Sequence, residues 1–432
     1  MNPKVLECCL ATALVDTHEH LVEESTRTER RPSRFFPSHD WSDLIFHYTA
    51  DDLMVSGWGQ EDRDRFFCPE TTLSDKIALL MPVWEHVRHT GYGRCVRESV
   101  RALYGEDDLT ARSIPRIAEK FPETVVPGFY QKVLVGDAGL VHAQVNSLEN
   151  VFCRTSQPNL LPQDISFLAL SQPDFETIRT ETGDAPQTLE GWCAWIDHCF
   201  DTWGESAIAS KNQIAYLRRL NFAQVDPREA ERVFTTLASG NRVSDGDREM
   251  LQNHLFRHCV TASTRNGLPV KLHTGYYAGY GRMPLDRVGS NASDLVPLLQ
   301  DFPDTQFVLM HIGWPFQDEF MALAKQYPNV WVDLCWTWII NPEACVRFVR
   351  EFVTTVPVNK LLPFGGDFTA VECVVGHARI ARRGMARAFS ELVESGWLRE
   401  EEALELVPRV FHGNARELFA HRDGIWNGML QR

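Results

Sequence analysis

His18 and His20 are separated by a single residue in the run Val15-Asp16-Thr17-His18-Glu19-His20-Leu21. In an extended strand residues two apart share a face, so both imidazoles can address one divalent cation. Two packed or exposed strand-end histidines would show the same spacing, and further ligand types are needed to separate the two readings. Lys211, His273, His311 and Asp367 supply them, because each follows a short apolar run. Imidazole, carboxylate and amine groups around a cation suit metal-assisted chemistry. There the pKa of bound water falls from about 15.7 to about 7, and a neighbouring carboxylate can collect the proton.

These residues need elements to bring them together. Strand-like runs at 13–16, 140–147, 165–171, 206–211, 268–273, 306–311, 330–335 and 360–366 alternate with stretches of helical periodicity such as 228–238, 247–266, 317–326 and 342–355. Eight strands joined by helical crossovers predict an α/β fold, a closed (β/α)8 TIM barrel with C-terminal helices. In such a barrel the carboxyl ends of the strands point into one mouth, which is where His18, His20, Lys211, His273, His311 and Asp367 would meet. Residues 22–125 are rich in Arg, Glu and aromatics at helical spacing and are poor in strands. They are expected to form a helical insertion after the first strand, capping the mouth of a single barrel domain spanning 1–432.

The motifs also resemble a known family, the metal-dependent amidohydrolase superfamily, in particular its amidohydrolase-2 type members related to the uronate isomerase group. The matching stretches are Val15–Leu21, Pro269-Val270-Lys271-Leu272-His273-Thr274-Gly275, Leu309-Met310-His311-Ile312-Gly313-Trp314-Pro315-Phe316, Phe364-Gly365-Gly366-Asp367 and Gly413-Asn414-Ala415-Arg416-Glu417-Leu418-Phe419. The resemblance implies that His18, His20 and Asp367 hold a metal, and that His273 and His311 join the coordination or contact the substrate. It further implies Asp367 as proton acceptor, with His311 or a residue behind the ligands as the polarising group. The run Ala207–Tyr216 is similar to a lysine-containing strand-four motif of the uronate isomerase subset. Lys211 is thus a metal ligand, if carboxylated, or as an ammonium a partner for a substrate carboxylate. Zinc is the expected ion for an imidazole-rich site, with manganese or iron as alternatives and one or two ions bound.

Beyond the ligands, Tyr276 and Arg282 on the Gly-spaced loop after His273, and Trp314 after His311, are candidates for substrate contact. Trp336 and Trp338 read equally as core. The pairs His86/His89 and His254/His258 lie at helical spacing, without the glutamate that a zinc-protease helix would carry.

Composition narrows the partners. Lys and Arg total 43 against 58 Asp and Glu, a formal charge of −15, and no basic run is present to follow a phosphate backbone. No stretch approaches the ~18 apolar residues of a membrane span. Eleven dispersed cysteines without a Cys-x-x-Cys pair suit reduced thiols of a cytoplasmic protein. Met1–Ala13 reads as a short helix leading into the first strand rather than as a signal peptide. Phosphate-loop, dinucleotide and Gly-x-Ser-x-Gly signatures are absent.

The expected function is a metal-dependent hydrolase, cleaving an amide, ester or lactone-like bond in a small carboxylate-bearing substrate. The alternatives are a uronate isomerase-like enzyme or a metal-dependent decarboxylase, and, as a non-enzyme, a scaffold barrel. A homo-oligomer contacting through the insertion is a further expectation.

Overall fold

The computed structural model describes residues 1–173, Phe175 and 186–426. It contains eight strands in chain order: β1 (Leu14–Glu19), β2 (Leu140–Val145), β3 (Asp164–Ser166), β4 (Ala209–Asn212), β5 (Val270–Leu272), β6 (Phe307–Leu309), β7 (Val330–Asp333) and β8 (Leu361–Leu362). Each pairs in parallel with the next from β3 to β8, with Lys211 opposite Lys271 and Val270 opposite Phe307, and β1 pairs with β2. Short hydrogen-bonded junctions close the circle. Val145 bridges to Gln163 between β2 and β3. Between the chain after β8 and β1, Thr17 N–H donates to Phe364 O at 3.1 Å and Asp367 N–H to His18 O at 2.9 Å. Nearly every strand residue is buried, as expected where helices cover the outside of a parallel barrel and side chains fill its interior.

The outer helices start where the sequence supplies caps. Asp226 caps Pro227–Ala238 by accepting from Arg228 N–H, Ser244 caps Asp245–Arg265 by accepting from Asp247 N–H, and Asn341 caps Pro342–Thr355 by accepting from Ala344 N–H. In the first and third, proline takes the first helical position, where its missing N–H costs nothing. Pro3–Ala11 precedes β1 as a helix that buries Val5 and Cys9.

Between β1 and β2 lie helices at Glu24–Thr28, Asp43–Phe46, Tyr48–Ser56, Gln60–Phe67, Leu73–Val87, Gly91–Tyr104 and Ser113–Thr124. This insertion is fastened to the long helix Val371–Glu394 that follows β8. Arg27 clasps Glu372 through Nη1 and Nη2 at 3.1 and 2.7 Å, both side chains buried. The backbones of Gly91–Tyr104 and Val371–Glu394 approach so closely at Gly376 that a Cβ there would strike the Cys95 carbonyl. Among the described residues no helix is long and apolar enough to cross a membrane.

Candidate metal centre

Strand alternation puts the His18 and His20 rings on one side of β1, their Nε2 atoms 3.3 Å apart. Asp367, in the turn after β8, aims Oδ1 between them, 3.3 Å from His18 Nε2 and 3.1 Å from His20 Nε2. Ligand atoms held at ~2.0–2.1 Å in a tetrahedral zinc site lie about 3.3 Å from one another. The three atoms therefore have the spacing of one face of such a coordination shell. The tautomer agrees for His20, because its Nδ1 donates to Asn146 O at 2.8 Å and leaves a lone pair on Nε2.

His311 and His273 extend the cluster. His311 Nδ1 donates to Cys335 O and His273 Nε2 to Tyr276 O, each at 2.9 Å. With their protons committed there, the neutral rings turn lone pairs toward each other across 3.0 Å, from His311 Nε2 to His273 Nδ1. Oδ2 of Asp367 lies 3.9 Å from His311 Nε2. The donor set fits a divalent cation: lone pairs and a carboxylate converge in a buried space.

Electrostatics favours the deprotonated forms that a metal needs. Burial, with the Lys211 charge second, pushes His18 down to about 4. Burial likewise takes His311 to about 3 and His273 well below the usual range. Burial opposes ionisation of Asp367, but the imidazoles of His18 and His20 outweigh it and hold its carboxyl well below the ordinary carboxylate range.

Lys211 also reaches this centre from β4. It is buried, its pKa is lowered by that burial to about 8, and its ammonium rests against the Met310 sulfur rather than on a carboxylate. The backbone around the site is held in sparsely populated conformations: His311, Trp336 and Asp367 have φ of 62°, 62° and 61°. Such conformations persist where the surroundings over-determine them.

The structure thus brings together His18, His20, Lys211, His273, His311 and Asp367. Tyr276 serves through its main chain as the acceptor for His273, and its ring packs edge-on against Trp314 at 5.2 Å. Arg282 is exposed on its loop, outside the cluster. Trp338 is core, its indole N–H bonded to Pro363 O at 2.8 Å. Trp336 stands edge-on to His311, with ring centroids 5.4 Å apart.

Two groups at the site had no reading in the sequence. The insertion delivers His47 and Tyr48: Tyr48 O–H donates to the Asp367 carbonyl at 2.5 Å, and the His47 ring stacks on Tyr48 at 3.9 Å. Nothing in the spacing of these two residues marks them. Below the ligands, Lys271 donates to both oxygens of Asp164 at 2.9 Å, to Gln144 Oε1 and to Thr17 O, while Asp164 Oδ2 lies 3.9 Å from His18 Nδ1. Lys271 was open to discovery, since it shares its strand face with His273. Beside His20 a cavity of about 670 Å³ opens, bordered by Thr26, Arg31, Arg34, Asn150 and Gln163.

Comparison with known proteins places this geometry. Residues 207–420 match the Amidohydrolase (Amidohydro_2) family model. Protein fluG of Emericella nidulans is 26% identical over 228 residues, covering 50% of this chain and 26% of fluG. A uronate isomerase of Xanthomonas campestris pv. campestris is 23% identical over 200 residues, 43% of this chain and 42% of the isomerase. The aligned stretches thus span less than half of these relatives. The crystal structure of a uronate isomerase from Thermotoga maritima superposes with a TM-score of 0.76 at 15% identity, covering 96% of both chains. The expectation of a hydrolase is corrected by these matches: uronate isomerases recur among the relatives and the structural neighbours, pointing away from hydrolysis. The barrel, the order of its motifs and the family match over residues 207–420 together support the metal-dependent amidohydrolase superfamily, with kinship to its uronate isomerase group.

Proposed function

We propose that this protein is a metal-dependent isomerase of sugar acids of the uronate class, interconverting aldehyde and ketone forms by moving hydrogen between adjacent carbons. The observation that carries the reading is Lys211: a buried ammonium, with no carboxylate in ion-pair contact among the described residues, set beside the converging His18, His20, His273, His311 and Asp367. A buried cation of this kind calls for an anion, and the carboxylate of a uronate supplies one.

His18, His20 and Asp367 would hold the cation, zinc being the first choice for this donor set. When bound, the ion polarises a carbonyl and makes the adjacent hydroxyl more acidic. Lys211 grips the substrate carboxylate and thereby sets which carbons face Asp367. Asp367 is the group suited to accept and return a proton, because Oδ1 faces His18 and His20 while Oδ2 turns toward His311. Tyr48 fixes the main chain that carries it, and burial keeps bulk water from competing. His47, Trp336 and Tyr48 present a stacked aromatic wall to the same space.

The test is incubation of zinc- or manganese-loaded protein with a panel of hexuronates, including glucuronate, in deuterated water, followed by NMR. The expected result is a keto-acid isomer of unchanged carbon count, with deuterium at carbon at most. No isomer from any uronate, or cleavage products from amides and lactones instead, would reject the reading.

A further inference from the structure

The residue between the two histidines of β1 is Glu19, and it is fully buried. Strand alternation turns it away from the imidazoles, and its carboxylate reaches the turn that bears Asp367: Glu19 Oε2 accepts from Phe368 N–H at 2.6 Å. Asp16, three residues earlier, does the same on the other side. Its Oδ1 accepts from Gly366 N–H at 3.1 Å, and from His18 N–H at 3.1 Å. Between these two, Asp367 N–H donates to His18 O at 2.9 Å, and His20 N–H returns a bond to Phe368 O at 2.9 Å. Three successive amides, 366 to 368, are thus all received by β1.

The fit is steric as well as polar. A Cβ on Gly366 would run into the Glu19 carboxylate, so the glycine and the acid occupy one space between them. Asp367 itself sits at φ 61°, a conformation that a non-glycine residue keeps only when neighbours impose it.

We infer that Glu19 is a positioning residue for the metal centre: by bracketing the Gly366–Phe368 turn with Asp16, it sets the Asp367 carboxylate at the spacing that completes the face formed by His18 and His20. The inference rests on the metal-binding part of the proposed function and is independent of the substrate. It gives the Asp-x-His-Glu-His run a second task, since these five residues, at the end of β1 and just past it, both donate two ligands and place the third, which lies far away in sequence.

The test is zinc affinity of the full-length chain, measured by competition with a chromophoric chelator, on variants whose circular dichroism shows them folded. Glu19→Gln keeps an acceptor for Phe368 N–H and is expected to bind zinc within about three-fold of the parent. Glu19→Met fills the space without an acceptor and is expected to bind 10–100-fold more weakly, on the order found when outer-shell partners of ligands are removed. Gly366→Ala should weaken binding in the parent yet add little to Glu19→Met, because both disturb one contact.

A merely structural role would lower the melting temperature of metal-free Glu19→Met and leave the affinity of the folded protein unchanged, which would overturn the inference. Equal loss in Glu19→Gln and Glu19→Met would overturn it too. Should Glu19→Met not fold, Glu19→Gln and Gly366→Ala decide: parent-like affinity in the first with loss in the second supports the bracket, and any other pattern rejects it. A parent that binds no zinc would instead reject the metal reading itself.

Discussion

The ammonium of Lys271 lies 2.9 Å from both carboxylate oxygens of Asp164, and neither side chain is exposed to solvent. This pair joins β5 to β3 through the barrel interior, and its carboxylate stands behind the metal-facing ring of His18. Removing one partner leaves an uncompensated buried charge. Lys271→Met is therefore expected to destabilise the fold by about 3–5 kcal/mol in urea unfolding, and Lys271→Met with Asp164→Leu by clearly less. An additive double variant would show that the two charges are not coupled.

The same geometry predicts an effect on the metal. Asp164→Asn should lower zinc affinity about 10–100-fold, because Asp164 Oδ2, 3.9 Å from His18 Nδ1, raises the basicity of that ring. Lys271 would then lack its counter-charge, so the comparison is made on protein that circular dichroism shows to be folded.

Metal binding should be visible in stability. A ligand that binds only the native state at about 1,000 times its Kd adds about 4 kcal/mol. Treatment with a chelator is expected to lower Tm, and added zinc or manganese to restore it. In His18→Ala and Asp367→Ala the chelator should shift Tm little, and metal analysis should find the ion lost. Retention of parent-level metal by both folded variants would remove the site.

Lys211 separates substrate binding from metal binding. Lys211→Met is expected to keep its metal content and to lose at least ~100-fold in kcat/KM for uronates, since a charged hydrogen-bonding partner in a buried site is removed. Loss of the metal in this variant would instead assign Lys211 to the coordination shell.

A pH dependence arises at the rim. Asp51 accepts from Gly279 N–H at 2.9 Å, and burial pushes its pKa up to about 6. A carboxyl whose native pKa exceeds its unfolded value of about 3.9 favours folding when protonated, and that contribution is lost as pH rises through 6. Asp51→Asn preserves the acceptor without the charge. It should raise Tm relative to the parent at pH 8, with the difference shrinking toward pH 4.5. A difference constant across pH would exclude the ionisation of Asp51 as its cause.

The chain itself determines a good part of this architecture. The strand runs were legible because buried parallel strands are continuous apolar stretches bounded by capped helices, as at Asp226-Pro227 and Asn341-Pro342. His18, His20, His273, His311, Lys211 and Asp367 were legible because the end of a barrel strand is a fixed place in space. What only the tertiary structure decided depends on contacts between distant segments. The bond from Tyr48 to Asp367 spans 319 residues and that from Phe368 to Glu19 spans 349, and no local periodicity encodes either. Arg282 looked like a substrate anchor from its loop, but the path of that loop leaves it exposed. The choice between hydrolysis and isomerisation lay beyond the ligand motif for the same reason: one metal face supports both, and the groups that meet the substrate come from loops and from the insertion.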